Sequence, residues 1–176
     1  MSRGGGLFTL FLKLSAAAGL RGQYPLYSVY TVDELSLPAV RHAALGQLET
    51  RYWSPDLNNA ANAKYVSAYK AKYGKLPSFY GAQSYDGIML IDSAVRAVKG
   101  NLKDQKGIIA AMRKANYAST RGKYSYNSNH FPIQNYYLLK AVTGPDGAKG
   151  VPVMQIQNTV FSKHKDSYYQ KCKMKW

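Results

Sequence analysis

The chain contains few of the residues from which catalytic and metal sites are built. Its 176 residues include one cysteine, so no disulfide can form within the chain, and three histidines at no spacing that would pair two imidazoles on a helix. It has no nucleophile-elbow serine and no Walker-type glycine loop. The one adjacent acidic pair, Asp33 and Glu34, is more typical of a helix start than of an acid/base dyad. We therefore predict no enzyme activity, no catalytic residues, no metal and no cofactor.

The sequence also lacks a long apolar run. No segment approaches the roughly 20 apolar residues that a membrane span requires. The run Leu7–Leu12 is short and is followed by Lys13, which favours a folded amphipathic helix over a signal peptide. Apolar side chains recur at helical spacing in Leu7, Leu10, Phe11, Leu14 and Ala18. We expect this helix to extend from Leu7 to about Ala18 and to follow Gly4–Gly6.

Acidic residues are scarce: nine of them face 24 lysines and arginines, which gives a formal charge of +15. Such a balance suggests either a nucleic-acid or anionic-membrane partner or a highly solvated surface. The basic residues are spread along the chain without a dense block, and no basic-aromatic recognition module is present. We expect no nucleic acid partner and keep a basic nucleic-acid-associated domain as an alternative.

The stretch Tyr65–Gly100 predicts two helices separated by a break from Gly74 to Pro77. In the first helix, Tyr65, Tyr69 and Tyr73 recur every four residues, which favours core packing over contact with a ligand. The apolar spacing of the second helix is typical of a helix packed on a sheet. That spacing is carried by Ile88, Ile91, Ala94, Val95 and Val98.

Strands and helices alternate along the rest of the chain, which predicts an α/β layered fold. Aromatic and branched residues make Pro25–Thr31 a predicted buried strand, after which Asp33 or Ser36 caps a short helix. The further predicted elements are a strand at Gln47–Trp53, a helix at Leu102–Ala115, a strand that begins at Lys123–Tyr126, strands at Tyr136–Val142 and Val151–Val160 around the turn Gly144–Gly147, and a polar helix at His164–Lys175.

The amino-acid sequence of Tyr65–Gly100 is also specific to one protein family. It resembles a segment of the solute-binding proteins of ABC importers of the Leu/Ile/Val type. The matching letters are Tyr65-Val66, Ala68-Tyr69-Lys70, Lys72-Tyr73-Gly74, Pro77-Ser78, Tyr80, Gln83, Tyr85-Asp86 and Leu90. Similar likeness is carried by FLKLSAAAGLRGQYPLYS upstream, and by GIIAAMRKANYASTRGKYSYN, NYYLLKAV and HKDSYYQKCKM downstream. The resemblance therefore covers nearly the whole chain.

This resemblance implies the fold and its division. The fold would be an incomplete type I periplasmic-binding fold, in which two three-layer α/β lobes are joined by hinge strands. Residues 1–48 would form part of the second lobe, residues 49–133 part of the first lobe, and residues 134–176 the return to the second lobe with a C-terminal helix. The hinge strands would be Gln47–Trp53 and Phe131–Tyr137. Because full-length relatives are longer and begin with an export signal, we expect a truncated chain that binds ligand weakly alone.

The implied function is solute capture outside the cytoplasm. A periplasmic protein of this type closes its lobes on a small solute, here an amino-acid-like or aromatic carboxylate, and presents it to the membrane permease of an ABC importer. The same fold also serves as the ligand-sensing domain of a regulator or receptor, which is the second alternative.

Two places suit a solute. The first is the entry to the first helix, where the N–H groups of four residues would receive a carboxylate: Gly5, Gly6, Leu7 and Phe8. The second is the end of the first strand, where ligands sit in open α/β sheets, with candidates Ser28, Tyr30, Thr31 and Asp33.

Amino-acid-binding relatives place an acid directly after that strand to hold the ammonium group. Here the acid is displaced to Asp33 or replaced by Tyr30 and Thr31. This departure argues against an α-amino acid and leaves room for an aromatic carboxylate or another small acid, which relatives also carry. The alternative for Tyr30 and Thr31 is a strand end packed under a loop.

Overall fold

The computed structural model describes residues 3–144 and 151–172, and its mixture of helices and strands confirms the predicted α/β class. The chain divides into two compact units. Unit 1 comprises Met1–Asp56 and Tyr136–Val160, and unit 2 comprises Leu57–Asn135 and Phe161–Trp176. The elements in chain order are α1 (Arg3–Ala17), β1 (Tyr27–Val29), α2 (Leu37–Val40), a 3₁₀ turn (Arg41–Ala44), β2 (Leu48–Arg51), α3 (Ala60–Tyr73), α4 (Phe79–Ala97), α5 (Gln105–Lys114), β3 (Ser125–Tyr126), β4 (Pro132–Thr143) and β5 (Pro152–His164).

The sheet of unit 1 is built around β2. β1 pairs with it in parallel, with Tyr27 opposite Leu48, and β4 pairs antiparallel on the other side, with Leu48 opposite Lys140. β5 in turn pairs with β4. Parallel neighbours need a crossover connection, and α2 with the 3₁₀ turn supplies it between β1 and β2. The carboxyl ends of β1 and β2 therefore lie side by side.

The crossover begins at Asp33. Its Oδ1 accepts hydrogen bonds from the backbone N–H groups of Leu35 and Ser36, each at 3.0 Å, as expected for a residue that caps a helical turn. Pro38 lies in the first turn of α2. Backbone N–H groups in this turn have no acceptor within the helix, so the N–H that proline lacks costs no hydrogen bond. The core of unit 1 includes Leu12, Val32, Leu37, Val40, Ala43, Ala44, Trp53, Leu139, Ala141 and Met154.

The prediction of a long buried first strand is wrong. β1 has three residues, and its Tyr27 and Val29 side chains are 70% and 60% exposed. The reason is its position at the end of the strand order, since β1 has β2 as its single strand neighbour within residues 3–144 and 151–172. Aromatic and branched composition predicts a strand, but burial depends on what covers it.

The first helix is confirmed, but its start and its buried face differ from the prediction. α1 begins at Arg3 rather than Leu7, so the glycines lie in its first turn. It packs on α2 and the 3₁₀ turn through a face that buries Leu12 and Ser15. Leu12 and Ser15 each follow a residue of the predicted apolar stripe, so the buried face is rotated from that stripe by roughly 100° about the helix axis. The predicted apolar stripe is exposed at Leu7, Leu10, Phe11 and Leu14.

The two helices predicted on either side of the break from Gly74 to Pro77 are confirmed as α3 and α4 of unit 2. Asn59 caps α3 by accepting a hydrogen bond from the N–H of Asn62 at 2.8 Å. Gly74 ends α3 in the left-handed conformation with φ of 66°, which costs glycine little. After Pro77, the Ser78 hydroxyl caps α4 by accepting from the N–H of Gly81.

The packing of these helices differs from the prediction. α4 packs on α5, and its buried residues are Phe79, Ala82, Asp86 and Ala94. Ile88 and Ile91, which we expected against a sheet, are 65% and 49% exposed. Of the three tyrosines on α3, Tyr65 is buried against the ring of Tyr85, while Tyr73 is exposed. Within the part of the chain that the structure describes, no helix combines the length and apolar content of a transmembrane segment.

The C-terminal half contains the predicted strand pair, as the longer β4 and β5. Most of the predicted turn Gly144–Gly147 lies outside the described residues. The predicted helix at His164–Lys175 is wrong for residues 164–172, because β5 continues to His164 and turns follow. These turns are tied to the loop before β4, since Ser128 donates a hydrogen bond to the carbonyl of Tyr169 at 3.0 Å.

Asp86 is the main polar anchor of unit 2. Its side chain is 1% exposed and accepts hydrogen bonds from Ser119 Oγ at 2.6 Å and from the N–H of Thr120 at 2.9 Å. Arg121 Nε lies 3.3 Å from the same carboxylate, while Arg121 Nη1 donates to Gln134 at 3.0 Å. Asp86 thereby fixes the loop 119–121 on α4.

We expect Asp86→Ala to destabilise unit 2 by about 3 kcal/mol, because it leaves two buried donors and a partly buried guanidinium without their acceptor. Asp92→Ala is the matched control on the same helix: its ion pair with Arg96 is exposed to solvent, so its loss should change stability far less. Urea denaturation followed by circular dichroism measures both. Equal losses in the two variants would contradict the role given to Asp86.

Candidate functional site

Aromatic side chains follow both parallel strands of unit 1 at the edge where these strands end. Tyr30 comes directly after β1 and Tyr52 directly after β2. Their ring centroids are 5.8 Å apart, with an angle of 57° between the planes. Tyr30 has φ of 53°, a left-handed conformation that is uncommon for a residue other than glycine and recurs at functional sites. The two rings form one aromatic surface at the strand ends.

Polar groups of β1 and of the loop that follows it converge on one carboxylate. Glu49 of β2 is fully buried, and its Oε2 accepts a hydrogen bond from the N–H of Val32 at 2.8 Å. The hydroxyls of Ser28 and Thr31 also donate to this oxygen, at 3.3 and 3.5 Å. Because Glu49 lies on the central strand of unit 1, these bonds attach the loop to the most fixed part of the sheet.

Arg51 completes this attachment from the same strand. It is fully buried, and its Nε lies 2.8 Å from Glu49 Oε1. Its Nη2 donates to the carbonyl of Val32 at 2.7 Å. Glu49 and Arg51 therefore hold both polar groups of the Val32 backbone, and with them the loop that carries Tyr30 and Thr31.

A second carboxylate faces the same guanidinium. The side chain of Glu34 is 5% exposed, and its Oε2 lies 3.6 Å from Arg51 Nη1. Neither oxygen of Glu34 accepts a hydrogen bond from any other described residue. Burial raises the pKa of Glu34 to about 7, although the charge of Arg51 opposes this rise.

Burial also raises the pKa of Glu49, but four contacts favour its ionised form. These are the charge of Arg51, the N–H of Val32, the backbone of Thr31 and the hydroxyl of Ser28. Glu34 has fewer such contacts to set against its burial: the more distant charge of Arg51 and its own backbone N–H. When Glu34 and Glu49 together retain one proton, that proton therefore resides on Glu34.

The predicted residues at the end of β1 are brought together only in part. Ser28 and Thr31 meet at Glu49, and Tyr30 meets Tyr52. Asp33 is buried and directs its carboxylate to the start of the crossover, where it caps the turn. Its role in contacting a solute stays a prediction.

The predicted residues at the first helix lie in a different setting from the one expected. Only the first four N–H groups of a helix lack an intrahelical acceptor, and α1 begins at Arg3. Gly5 and Gly6 belong to this first turn, whereas the N–H groups of Leu7 and Phe8 lie within the helical hydrogen-bond ladder. The expectation that Leu7 and Phe8 offer free donors is therefore wrong. Their side chains are an exposed leucine and a phenylalanine whose ring is 5.8 Å from that of Phe11.

Sequence reasoning did not find Glu34, Glu49, Arg51 or Tyr52. A signal existed for two of them, because opposite charges two residues apart on a strand point to the same face. On β2 that face is the buried one. Tyr52 could have been found by applying the strand-end argument to the second parallel strand as well as to the first.

Unit 2 has a groove of about 380 Å³ lined by Leu90, Ile109, Met112, Arg113, Tyr126 and His130. Its exposed lining is almost wholly apolar, so it has few groups that would orient a polar solute. In the described ranges, no group of three acidic, histidine or cysteine side chains is arranged to hold a metal ion. The strand ends of unit 1 are the better candidate for a solute site.

In open α/β sheets, ligands sit beyond the carboxyl ends of the strands, which is where unit 1 places Tyr30 and Tyr52. Comparison with known families makes the assignment specific. The chain belongs to the periplasmic binding protein family, whose model matches residues 1–148. The resemblance drawn from the sequence is thereby confirmed.

Individual relatives agree with this assignment. A Leu/Ile/Val-binding protein homolog 6 from Brucella abortus is 30% identical over 119 residues, which is 65% of this chain and 30% of the relative. A solute-binding protein of an ABC transporter from R. palustris, solved in complex with benzoate, is 29% identical with a TM-score of 0.77. The match covers 90% of this chain and 41% of that one.

Two further structures extend the comparison. A solute-binding protein from Rhodopseudomonas palustris BisB5, in complex with 3,4-dihydroxybenzoic acid, is 28% identical with a TM-score of 0.76 over 90% of this chain and 43% of that one. The leucine-binding protein LivK of Thermotoga maritima shares the fold, with a TM-score of 0.70 at 22% identity over 88% of this chain and 42% of that one. The chain thus spans well under half the length of these relatives.

The carboxyl cluster makes stability depend on pH. Because the pKa of Glu34 rises from 4.5 to about 7 on folding, the native state holds a proton that the unfolded state releases. Stability from this source is therefore complete below pH 4.5 and is lost as the pH rises to about 7, by about 3 kcal/mol. In Glu34→Gln, which is neutral at every pH, most of this loss should disappear.

Urea denaturation at a series of pH values, followed by tryptophan fluorescence, measures this difference. If wild type and Glu34→Gln lose the same stability over this range, Glu34 is not the group that holds the proton.

Proposed function

We propose that this chain forms part of an extracytoplasmic solute-binding protein of an ABC importer, and that unit 1 contacts a small aromatic carboxylate. The observation that carries the proposal is the Tyr30–Tyr52 ring pair at the carboxyl ends of β1 and β2. Membership of the family supports the general role. The benzoate and 3,4-dihydroxybenzoate complexes of relatives at 29% and 28% identity support the class of solute.

The polar groups around this pair favour an aromatic acid over an α-amino acid. An amino acid needs an accessible carboxylate for its ammonium group, and the three acids nearby are otherwise engaged. Asp33 caps the crossover, Glu49 is fully buried in its contacts with Val32 and Arg51, and Glu34 is buried beside Arg51. The rings of Tyr30 and Tyr52 remain, and their flat faces suit the ring of a benzoate-like molecule.

We further propose that unit 1 corresponds to the second lobe and unit 2 to the first lobe of the family fold, and that the protein is periplasmic and delivers its solute to a membrane permease. The chain crosses between the units after Asp56, after Asn135 and after Val160. The first two crossings lie at or near the predicted hinge strands Gln47–Trp53 and Phe131–Tyr137. A solute that contacts both lobes would favour the closed state by its greater affinity for that state.

Titration of the chain with benzoate, 4-hydroxybenzoate and leucine tests the proposal. Intrinsic fluorescence is a suitable readout, because the buried Trp53 directly follows Tyr52. We expect the two aromatic acids to bind more tightly than leucine. Tyr30→Ala and Tyr52→Ala should each weaken benzoate binding by about threefold to tenfold, the worth of one aromatic contact.

Tyr24→Ala is the matched control, because Tyr24 is a tyrosine of unit 1 with an exposed side chain. It should leave the affinity for benzoate unchanged. Preference for leucine, or benzoate binding that is insensitive to both Tyr30 and Tyr52, would contradict the proposed site.

A further inference from the structure

The loop after β1 is held by two charged side chains rather than by a strand neighbour. Val32 donates its N–H to Glu49 and offers its carbonyl to Arg51, at 2.8 and 2.7 Å. Val32 is fully buried and is two residues beyond Tyr30. Any movement of Glu49 or Arg51 therefore moves the backbone that sets the position of Tyr30 and Thr31.

One guanidinium serves two buried carboxylates in this cluster. Arg51 lies 2.8 Å from Glu49 and 3.6 Å from Glu34. The charged groups that act on Glu34 are Arg51 and Glu49 from β2 and Asp33 from its own loop. With both glutamates ionised, the cluster holds a surplus negative charge away from water, which is costly. With a proton on Glu34, the Glu49–Arg51 pair is balanced.

We propose that Glu34, Glu49 and Arg51 form a positioning cluster for the solute-contacting loop, and that this cluster requires Glu34 to be protonated. When Glu34 ionises, it competes with Glu49 and with the Val32 carbonyl for Arg51. The loop then loses part of its attachment, and the affinity for an aromatic carboxylate falls. This inference rests on the proposed function for its effect on affinity, but its effect on the loop is independent of any solute.

The solute's own charge gives a second reason for a protonated Glu34 near the strand ends. A solute carboxylate near the strand ends adds a negative charge, and it is better accommodated when Glu34 is neutral. The raised pKa of Glu34 agrees with this requirement, since it keeps a proton on the group up to about neutral pH. Ionisation of Glu34 is therefore expected to lower the affinity for the solute in two ways: it loosens the loop, and it adds a negative charge near the solute carboxylate.

The test measures benzoate affinity between about pH 5.5 and about pH 8.5, a range over which benzoate stays ionised. Wild type should lose about tenfold in affinity from the lower to the upper end. Glu34→Gln should bind with the affinity of the low-pH wild type at every pH. Glu49→Gln, which weakens the hold on Val32, should bind more weakly throughout. A wild-type profile retained in Glu34→Gln would overturn the proposal.

A second measurement needs no solute. The amide resonances of Thr31 and Val32 in the free protein should shift with pH, with a midpoint near neutrality, and the shift should vanish in Glu34→Gln. If these amides titrate but benzoate does not bind, the cluster stands and the proposed function fails. If benzoate binds with an affinity that is independent of pH and these amides do not titrate, the proposed function stands and the cluster fails.

Discussion

The buried ion pair between Arg51 and Glu49 is the constraint on which the site in unit 1 depends. β1 is only three residues long and has one strand neighbour among the described residues, so backbone pairing alone provides little hold on the loop beyond it. The pair replaces that missing hold by binding both polar groups of Val32. Buried ion pairs often contribute little net stability, but they fix geometry, because their charges tolerate few arrangements away from water. Here the fixed geometry is that of Tyr30 and Thr31 at the strand end.

The protonation state of Glu34 determines the charge of this cluster. A single guanidinium between two buried carboxylates is balanced when one of the two holds a proton. Glu34 is the one with the weaker contacts, and its pKa of about 7 brings the exchange of that proton into the physiological range. Loop position, charge at the strand ends and stability are therefore linked through one side chain.

Features that depend on local chemistry could be predicted from the sequence. The helices around Gly74 and Pro77, the strands near Ser28 and Glu49 and the α/β class follow from short-range patterns, and the structure agrees. The end of β1 could be chosen as a candidate site because the argument needs only the position of a strand end in an open α/β sheet.

Burial and pairing could not be predicted, because both depend on distant neighbours. The apolar stripe of α1 and the Ile88–Ile91 face of α4 have the correct helical spacing, yet they are exposed in their units. Conversely, Glu49 and Arg51 have the composition of a solvated strand and are fully buried. Alternation along β2 shows that these two share a face but not which face is inside. The resemblance of Tyr65–Gly100 to a known family supplied what periodicity could not, because it identified the fold, and the family comparison confirmed it.

Hydrogen exchange of the Val32 amide is the most direct test of the account. If Glu49 and Arg51 hold the loop, this N–H should open only with unfolding of unit 1 and should be protected like the core amides of β2. Exchange of Val32 at the rate of exposed loop amides would mean that the ion pair does not hold the loop, and the site described here would have no fixed geometry.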